Sequence, residues 1–454
     1  MQLTHLPDNG PRSPGRLRLA LATATAALLA AGPAAAQSVP AAPAAAKPSG
    51  ASATDRDTVT WQVDAAVLQY SESGGRVKAT EPIVSLKRSD GDDRITSLRL
   101  TLDTLTGASP TGAVPQPQVQ TTTSASGEST FSTQAGDIPM DHSFKDQRVA
   151  LNLSHEQPVG ANRRLSLGAN LSGETDFASV GLSTALAQDF NDKNTTLSLG
   201  LAYEYDFIKP VGKTPSPLQP HDQIYRLGKT QTRGVVDLLL GYTQVVNRRW
   251  ISQFNIGPGW GSGYFNDPYK VLSVVDGVTG LETGDNKVSE ARPRKRNRLT
   301  LYWQNKLHVD TGVLDLALRR YRDSWGIQAT TLEARYRHDL AKGWFVEPQW
   351  RSHRQGAADF YRPYLVDGVD YLSIAHAPTR SHASADPRLA KFTAQTVGIK
   401  LGITLGQGRE LGLRLASYRQ KMAPVEGAPG YLATVPLVDD LKASMVMLGY
   451  SHLF

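Results

Sequence analysis

Apolar and polar residues take turns along most of this chain. In Arg148-Val149-Ala150-Leu151-Asn152-Leu153-Ser154-His155-Glu156 the apolar side chains occupy every second place, and Arg164 to Ser172 repeats the pattern. From Thr196 to Asp206, Leu197, Leu199, Leu201, Tyr203 and Tyr205 alternate with Ser198, Gly200, Ala202, Glu204 and Asp206. Successive side chains of an extended strand point to opposite faces, so this period predicts strands with one apolar and one polar side. A helix would not keep it.

The spacing between strands narrows the fold. Turn clusters of Gly, Asn and Asp type lie at Ser89–Asp93, Pro158–Asn162, Asn191–Asn194, Asn247–Arg249, Asp310–Gly312, Asp339–Gly343 and Gly406–Arg409. Between them come long connections near 106–145, 209–229, 263–296, 356–388 and 423–440. Short turns on one side alternating with longer loops on the other are the rhythm of an outer-membrane barrel. The expected fold is all-β: a transmembrane, antiparallel, up-and-down barrel of about 16 strands, with 14 to 18 as bounds, short periplasmic turns and long extracellular loops.

The two ends carry matching expectations. At the end of the sequence, SMVMLGYSHLF places Val446, Leu448, Tyr450, His452 and Phe454 on one strand face, with Met447, Gly449 and Ser451 on the other. A buried edge strand of a soluble sheet is the alternative; a closing strand against lipid, with Leu448, Tyr450 and Phe454 as its signature, fits the rest of the chain better. At the start, Arg12, Arg16 and Arg18 precede an apolar stretch from Leu19 to Ala31 and then Ala34-Ala35-Ala36. That reads as a cleaved secretory signal peptide over residues 1–36. Residues 37–57, rich in Ala, Pro and Ser, read as a disordered periplasmic leader. The barrel is then expected over 58–454, in a bacterial outer membrane. Trp61, Tyr70, Trp250, Trp260, Trp344, Trp350, Tyr450 and Phe454 fall near predicted strand ends, as an interfacial aromatic girdle requires.

Composition removes several chemistries. With no Cys, the chain has no thiolate for a disulfide, an iron–sulfur cluster or a c-type haem attachment. Net charge is +7, or +5 once the leader's three Arg and one Asp are gone, which is too mild to argue for nucleic acid. No run of apolar residues reaches the roughly 18 that a spanning helix needs.

Three segments carry a family resemblance: Leu105-Thr106-Gly107-Ala108-Ser109-Pro110-Thr111-Gly112-Ala113, Asp146-Gln147-Arg148-Val149-Ala150-Leu151-Asn152-Leu153, and Asp189-Phe190-Asn191-Asp192-Lys193-Asn194-Thr195-Thr196-Leu197. From about Val63 to Phe454 the chain resembles an uncharacterised outer-membrane family of Gram-negative bacteria, catalogued as a domain of unknown function. The resemblance implies an outer-membrane barrel and brings no catalytic residues with it. Its association with exported flavin-transfer and thioredoxin-like proteins implies redox partners for one of the readings below.

The polar strand faces carry both signs: Arg99, Asp103, Arg148, Glu156, Arg164, Glu174, Glu204, Asp206, Asp237, Lys306, Asp315, Arg319, Glu333, Arg335, Arg337, Glu347, Arg351 and Lys400. Pointing inward, they either pair with one another or set the field of a conducting lumen. A basic cluster, Arg292, Arg294, Lys295, Arg296 and Arg298, stands where a strand begins, as a solvated rim or a site for lipopolysaccharide phosphates. Phe360 to Tyr371 is too aromatic for a floppy loop and is expected to constrict the lumen or cap its rim.

Signs of an enzyme are weak. His142 and Ser143 are neighbours, so on a strand they point apart and cannot act as base and nucleophile. His338-Asp339 reads as a strand end, and Asp90-Gly91-Asp92-Asp93 as a turn rather than a calcium site. No catalytic, cofactor-binding or metal-binding residues are expected. The first functional expectation is a porin-like channel for small polar solutes or ions; the second is a non-catalytic scaffold or sheath for exported redox partners; the third is an outer-membrane hydrolase. Expected partners are outer-membrane lipid and lipopolysaccharide, the barrel assembly machinery and, for the second reading, exported redox proteins, with no nucleic acid.

Overall fold

The computed structural model describes residues 59–123, 130–221, 225–284 and 287–454. The signal-peptide reading of 1–36 and the leader reading of 37–57 lie outside the described residues. Over the rest, each alternating stretch is a strand and each predicted short turn joins two of them.

Among the described residues, sixteen strands form the barrel and run in sequence. They are β1 (Thr60–Glu72), β2 (Lys78–Ser89), β3 (Ile95–Pro110) and β4 (Met140–Pro158); β5 (Arg163–Gly173), β6 (Phe177–Phe190), β7 (Thr195–Ile208) and β8 (Gln231–Asn247); β9 (Trp250–Gly263), β10 (Lys295–Val309), β11 (Gly312–Asp323) and β12 (Gln328–Asp339); and β13 (Trp344–Gln355), β14 (Phe392–Gly406), β15 (Arg409–Met422) and β16 (Leu441–Leu453). Each pairs antiparallel with its neighbour in sequence, and β1 pairs with β16 from Gln62↔Leu453 to Glu72↔Ala443, which closes the barrel. Closure leaves no edge strand, the condition for exposing a sheet to hydrocarbon. Strand lengths of 11 to 19 residues meet the roughly 9–11 residues that cross a bilayer.

Six of the seven tight turns contain residues in the left-handed backbone region; the β8–β9 turn does not. Asn191, Asp192, Asp310 and Asp93 all have positive φ, between 43° and 65°, a region that Asn and Asp enter more readily than other side chains. On the opposite side, the five long loops span 111–139, 209–230, 264–294, 356–391 and 423–440. The strands flanking the first loop run further than the pattern predicts, β3 to Pro110 and β4 from Met140, with a register shift between Gly107 and Ser109. At that bulge Gly107 has φ +131°, and an added Cβ would lie 2.4 Å from the Arg76 carbonyl oxygen. Only glycine fits there.

The two faces of the sheet differ as the alternation requires. Val149, Leu153, Leu167, Leu182, Leu199, Leu413 and Leu448 are among many large apolar side chains left exposed on the outside. Apolar exposure on that scale marks a surface that meets lipid. Trp260, Trp344, Trp350 and Phe454 share this outer face. Tyr70 departs from the expected girdle: it is 7% exposed and packs inside the barrel with Ala66, Leu68, Tyr418, Met445 and Met447.

Candidate functional site: the barrel interior and its cap

Positions opposite the exposed leucines face the interior of the closed barrel. On β3 and β4 these include Arg99, Asp103, Arg148 and Glu156; on β5, β7 and β8 they include Arg164, Glu204, Asp206 and Asp237. On β10 and β11 come Lys306, Asp315 and Arg319, and on β12 to β14 Glu333, Arg335, Arg337, Glu347, Arg351 and Lys400. Glu174 differs from its expected strand position: it lies one residue beyond β5, in the short loop 174–176 at the long-loop side. There burial, reinforced by the nearby Asp146 carboxylate, raises its carboxyl to about 7.

Most of these interior charges are matched. Arg148 pairs with Asp103, and Arg164 with Asp189 and Glu156. Arg233 holds the fully buried Asp206 at 2.6 Å, and Arg298 holds Asp237 at 2.5 Å. Near the short-turn end, Lys400 meets Glu410 at 2.9 Å, Arg414 meets Glu347 at 2.8 Å, and Arg337 lies 3.6 Å above the Phe345 ring. Asp315 receives Arg335 at 3.1 Å and Lys306 at 3.7 Å. Taking charges out of water costs several kcal/mol per ion unless partners are close, which accounts for the pairing. Neither Arg99 nor Arg351 makes an ion pair with any described residue.

Arg351 lines an interior cavity of about 60 Å³ with two unlike walls. Leu68, Met445, Met447 and Tyr418 form the apolar wall, while Glu333, Gln349 and Arg414 join Arg351 on the polar one. Sequence reasoning missed the apolar wall, because Ala65-Ala66-Val67-Leu68 is apolar on both faces and hides which residues turn inward.

The mouth on the long-loop side is covered. Val271 N–H donates to the Thr111 carbonyl at 3.0 Å, and Val114 N–H donates to Ser273 Oγ at 3.1 Å, which ties the β9–β10 loop to the β3–β4 loop. Val274–Val275 pairs parallel with Leu365–Val366 of the β13–β14 loop. Around the ring these three junctions are separated by six, four and six strands, so their loops meet only by crossing the opening. Leu218 of the β7–β8 loop joins Leu272, Val274, Leu365 and Tyr371 in one apolar cluster; Leu432 of the β15–β16 loop joins Val114 and Val275 in another. Phe360 and Trp325 pack edge to face, 5.2 Å between centroids, and Tyr361 reaches down onto the interior cluster around Tyr70.

An ionic core fastens this cap. Arg292 donates to Glu290 at 3.0 Å and to Asp386 at 2.8 Å, and Arg388 joins Asp386 and Asp267, each at 2.6 Å. Lys270 reaches Ser109 Oγ at 3.1 Å, anchoring the core to the top of β3. Burial alone would raise the Asp386 carboxyl, but Arg388 and Arg292 together hold it far below the usual carboxylate range. Of the predicted basic rim, therefore, Arg292 is spent inside the cap. Arg296 pairs with Asp323 at 2.6 Å and lies over Trp325, Arg298 pairs with Asp237, and Arg294 and Lys295 stand exposed.

His142 and Ser143 are consecutive on β4, and His142 sets its ring edge against Phe131. His338 is at the end of β12, 3.1 Å from Thr311 Oγ1, and Asp90 to Asp93 form the β2–β3 turn.

A family model described as "Protein of unknown function (DUF3570)" matches residues 18–452. No curated protein matches the chain. Among solved structures, the outer-membrane protein OpdK from Pseudomonas aeruginosa is similar at 10% identity and a TM-score of 0.37, over 87% of this chain and 99% of that one. OccD3 (OpdP) from Pseudomonas aeruginosa is similar at 10% identity and a TM-score of 0.39, over 90% and 95%. A bacterial polysaccharide outer-membrane secretin is similar at 8% identity and a TM-score of 0.43, over 88% and 99%.

Proposed function

Since the chain belongs to the family described as a protein of unknown function (DUF3570), we propose a role from its own geometry: an outer-membrane channel that passes small polar solutes or ions when its extracellular cap opens. The observation that carries this reading is the pairing of a polar, charge-lined interior with a cap built from loops that cross the mouth. A barrel of 16 strands encloses enough cross-section for an aqueous passage. A solid core would need no lining of arginines and carboxylates; a passage does, because wall charge selects what enters.

Passage of this kind works through pore size, wall charge and cap position, with no covalent step. The amphipathic cavity beside Arg351 gives a permeating solute both an apolar wall and polar partners halfway along. In the closed arrangement the cap excludes bulk solute; release of its contacts opens the route.

Single-channel recording on folded protein in a planar bilayer tests the reading. The wild type is expected to show brief openings, and a variant lacking residues 360–371 longer or larger ones. Silence from both, with folding verified by heat-modifiable gel mobility, would overturn it.

A further inference from the structure

A group of arginines without ion pairs among the described residues stands on the outer face of the barrel, apart from Arg99 and Arg351 inside it. Arg320 and Arg322 on β11 and Arg354 on β13 are exposed, and their side chains lie on the lipid-facing surface rather than in the interior. Parity settles this. Arg319 and Asp323 face inward, the latter paired with Arg296, while Leu316 below Arg320 and Trp350 below Arg354 are exposed on the outer face. Register places Leu301, Arg320, Thr330 and Arg354 on one rung across four strands, with Leu299, Arg322 and Gln328 on the next rung up.

These residues line an open groove of about 1010 Å³. Leu332 lies below the Arg320 rung, Leu301 level with it and Leu299 level with Arg322, and the upper end reaches Gly326 in the loop between β11 and β12. Arg320 donates to Thr330 Oγ1; no carboxylate pairs with any of the three guanidiniums among the described residues. Asp359 sets its carboxylate against Gly326 at the groove's upper lip, and Asp323 beside Arg322 faces inward to Arg296. Unpaired arginines on an apolar surface are costly unless a counter-charge arrives from outside the protein. With strands ~4.8 Å apart and ~3.4 Å of rise per residue, Arg320 lies about 10 Å from Arg354 and about 7 Å from Arg322 at the backbone. Long side chains converge over such distances.

We propose that this groove binds the phosphorylated glycolipid of the outer leaflet, lipopolysaccharide, with the phosphates of its lipid A portion on Arg320, Arg322 and Arg354 and acyl chains along Leu301 and Leu332. Guanidinium forks match phosphate oxygens in paired hydrogen bonds, and the leucines beside and below them continue the surface that meets acyl chains. The height fits as well: the arginines stand at the upper boundary of the apolar band, on the side of the long loops. A soluble phosphate would meet the arginines but leave the leucine wall unused.

The inference rests on the outer-membrane placement proposed above, so the protein is taken from the outer-membrane fraction of expressing cells. Absence from that fraction would fail the placement; lipid-free protein recovered there fails the groove. Native mass spectrometry in mild detergent then counts lipid A-bearing molecules on the wild type, an R320Q/R322Q/R354Q variant and an R294Q/K295Q control. Wild type and control are expected to retain lipid A, and the triple variant at least about tenfold less, with folding verified by gel mobility. Equal retention by the triple variant, or equal loss from the control, would overturn the proposal. Added inorganic phosphate is expected to leave the bound lipid in place; its displacement would reduce the groove to a simple anion site and also overturn it.

Discussion

Trp61 and Phe454 exchange both of their backbone hydrogen bonds, N–H to carbonyl at 2.7 Å in one direction and 2.8 Å in the other. This double link is the last rung of the β1–β16 seam. Phe454 is 61% exposed, and its ring packs on its strand neighbour His452, 5.1 Å between centroids.

The seam should therefore tolerate loss of the ring better than loss of the residue. Phe454→Ala keeps both hydrogen bonds, whereas deleting residue 454 strands the Trp61 N–H and carbonyl, at ~1–3 kcal/mol for each group left unsatisfied. Heat-modifiable mobility on gels is expected to show near-normal folding for Phe454→Ala and a lower unfolding temperature for the deletion.

Breaking the ionic core should loosen the cap and spare the barrel. Arg292→Gln leaves Glu290 and Asp386 short of a buried cation, a loss of ~3–5 kcal/mol for a buried pair. Expected outcomes are faster proteolysis within 264–294 and 356–391, an unchanged barrel unfolding temperature, and longer channel openings.

Glu174 gives the mouth a pH dependence near neutrality. Its carboxyl is raised from 4.5 to about 7 by burial and then by Asp146. A raised folded-state value means that its contribution to stability is complete below about 4.5 and is lost as pH rises through about 7. The wild type should lose more stability than Glu174→Gln between pH 5 and pH 8, measured by denaturant midpoint. Equal losses would count against this assignment.

Arg99 and Arg351, without ion-pair partners among the described residues, should weigh most on ion preference. Replacing both by Gln is expected to lower the anion-to-cation permeability ratio about twofold, read from the reversal potential in a salt gradient. Arg148→Gln removes charge that Asp103 already offsets and should shift that ratio less.

The barrel was legible because its information is local. Strand parity is written in residues two apart, and tight turns are written in Asn, Asp and Gly, so strand number and the position of every short turn follow from neighbouring residues. Tyr70 shows where this stops: Ala66, Val67 and Leu68 are apolar on both faces, and no local rule says which side is the inside. The cap was less legible still. Nothing near Val274 in sequence names Leu365 as its partner, and the aromatic run Phe360–Tyr371 reveals only that it must be covered, not by what. Arg292 likewise reads as one member of a basic cluster until Asp386, far along the chain, is brought beside it.

The parallel pairing of Val274–Val275 with Leu365–Val366 is only two residues long, yet Val274, Val275 and Leu365 belong to clusters shared with the β3–β4, β7–β8 and β15–β16 loops. No loop can lift away without uncovering side chains that its neighbours still need buried. The lid is thus cooperative, and its current records should step between discrete levels rather than rise by degrees.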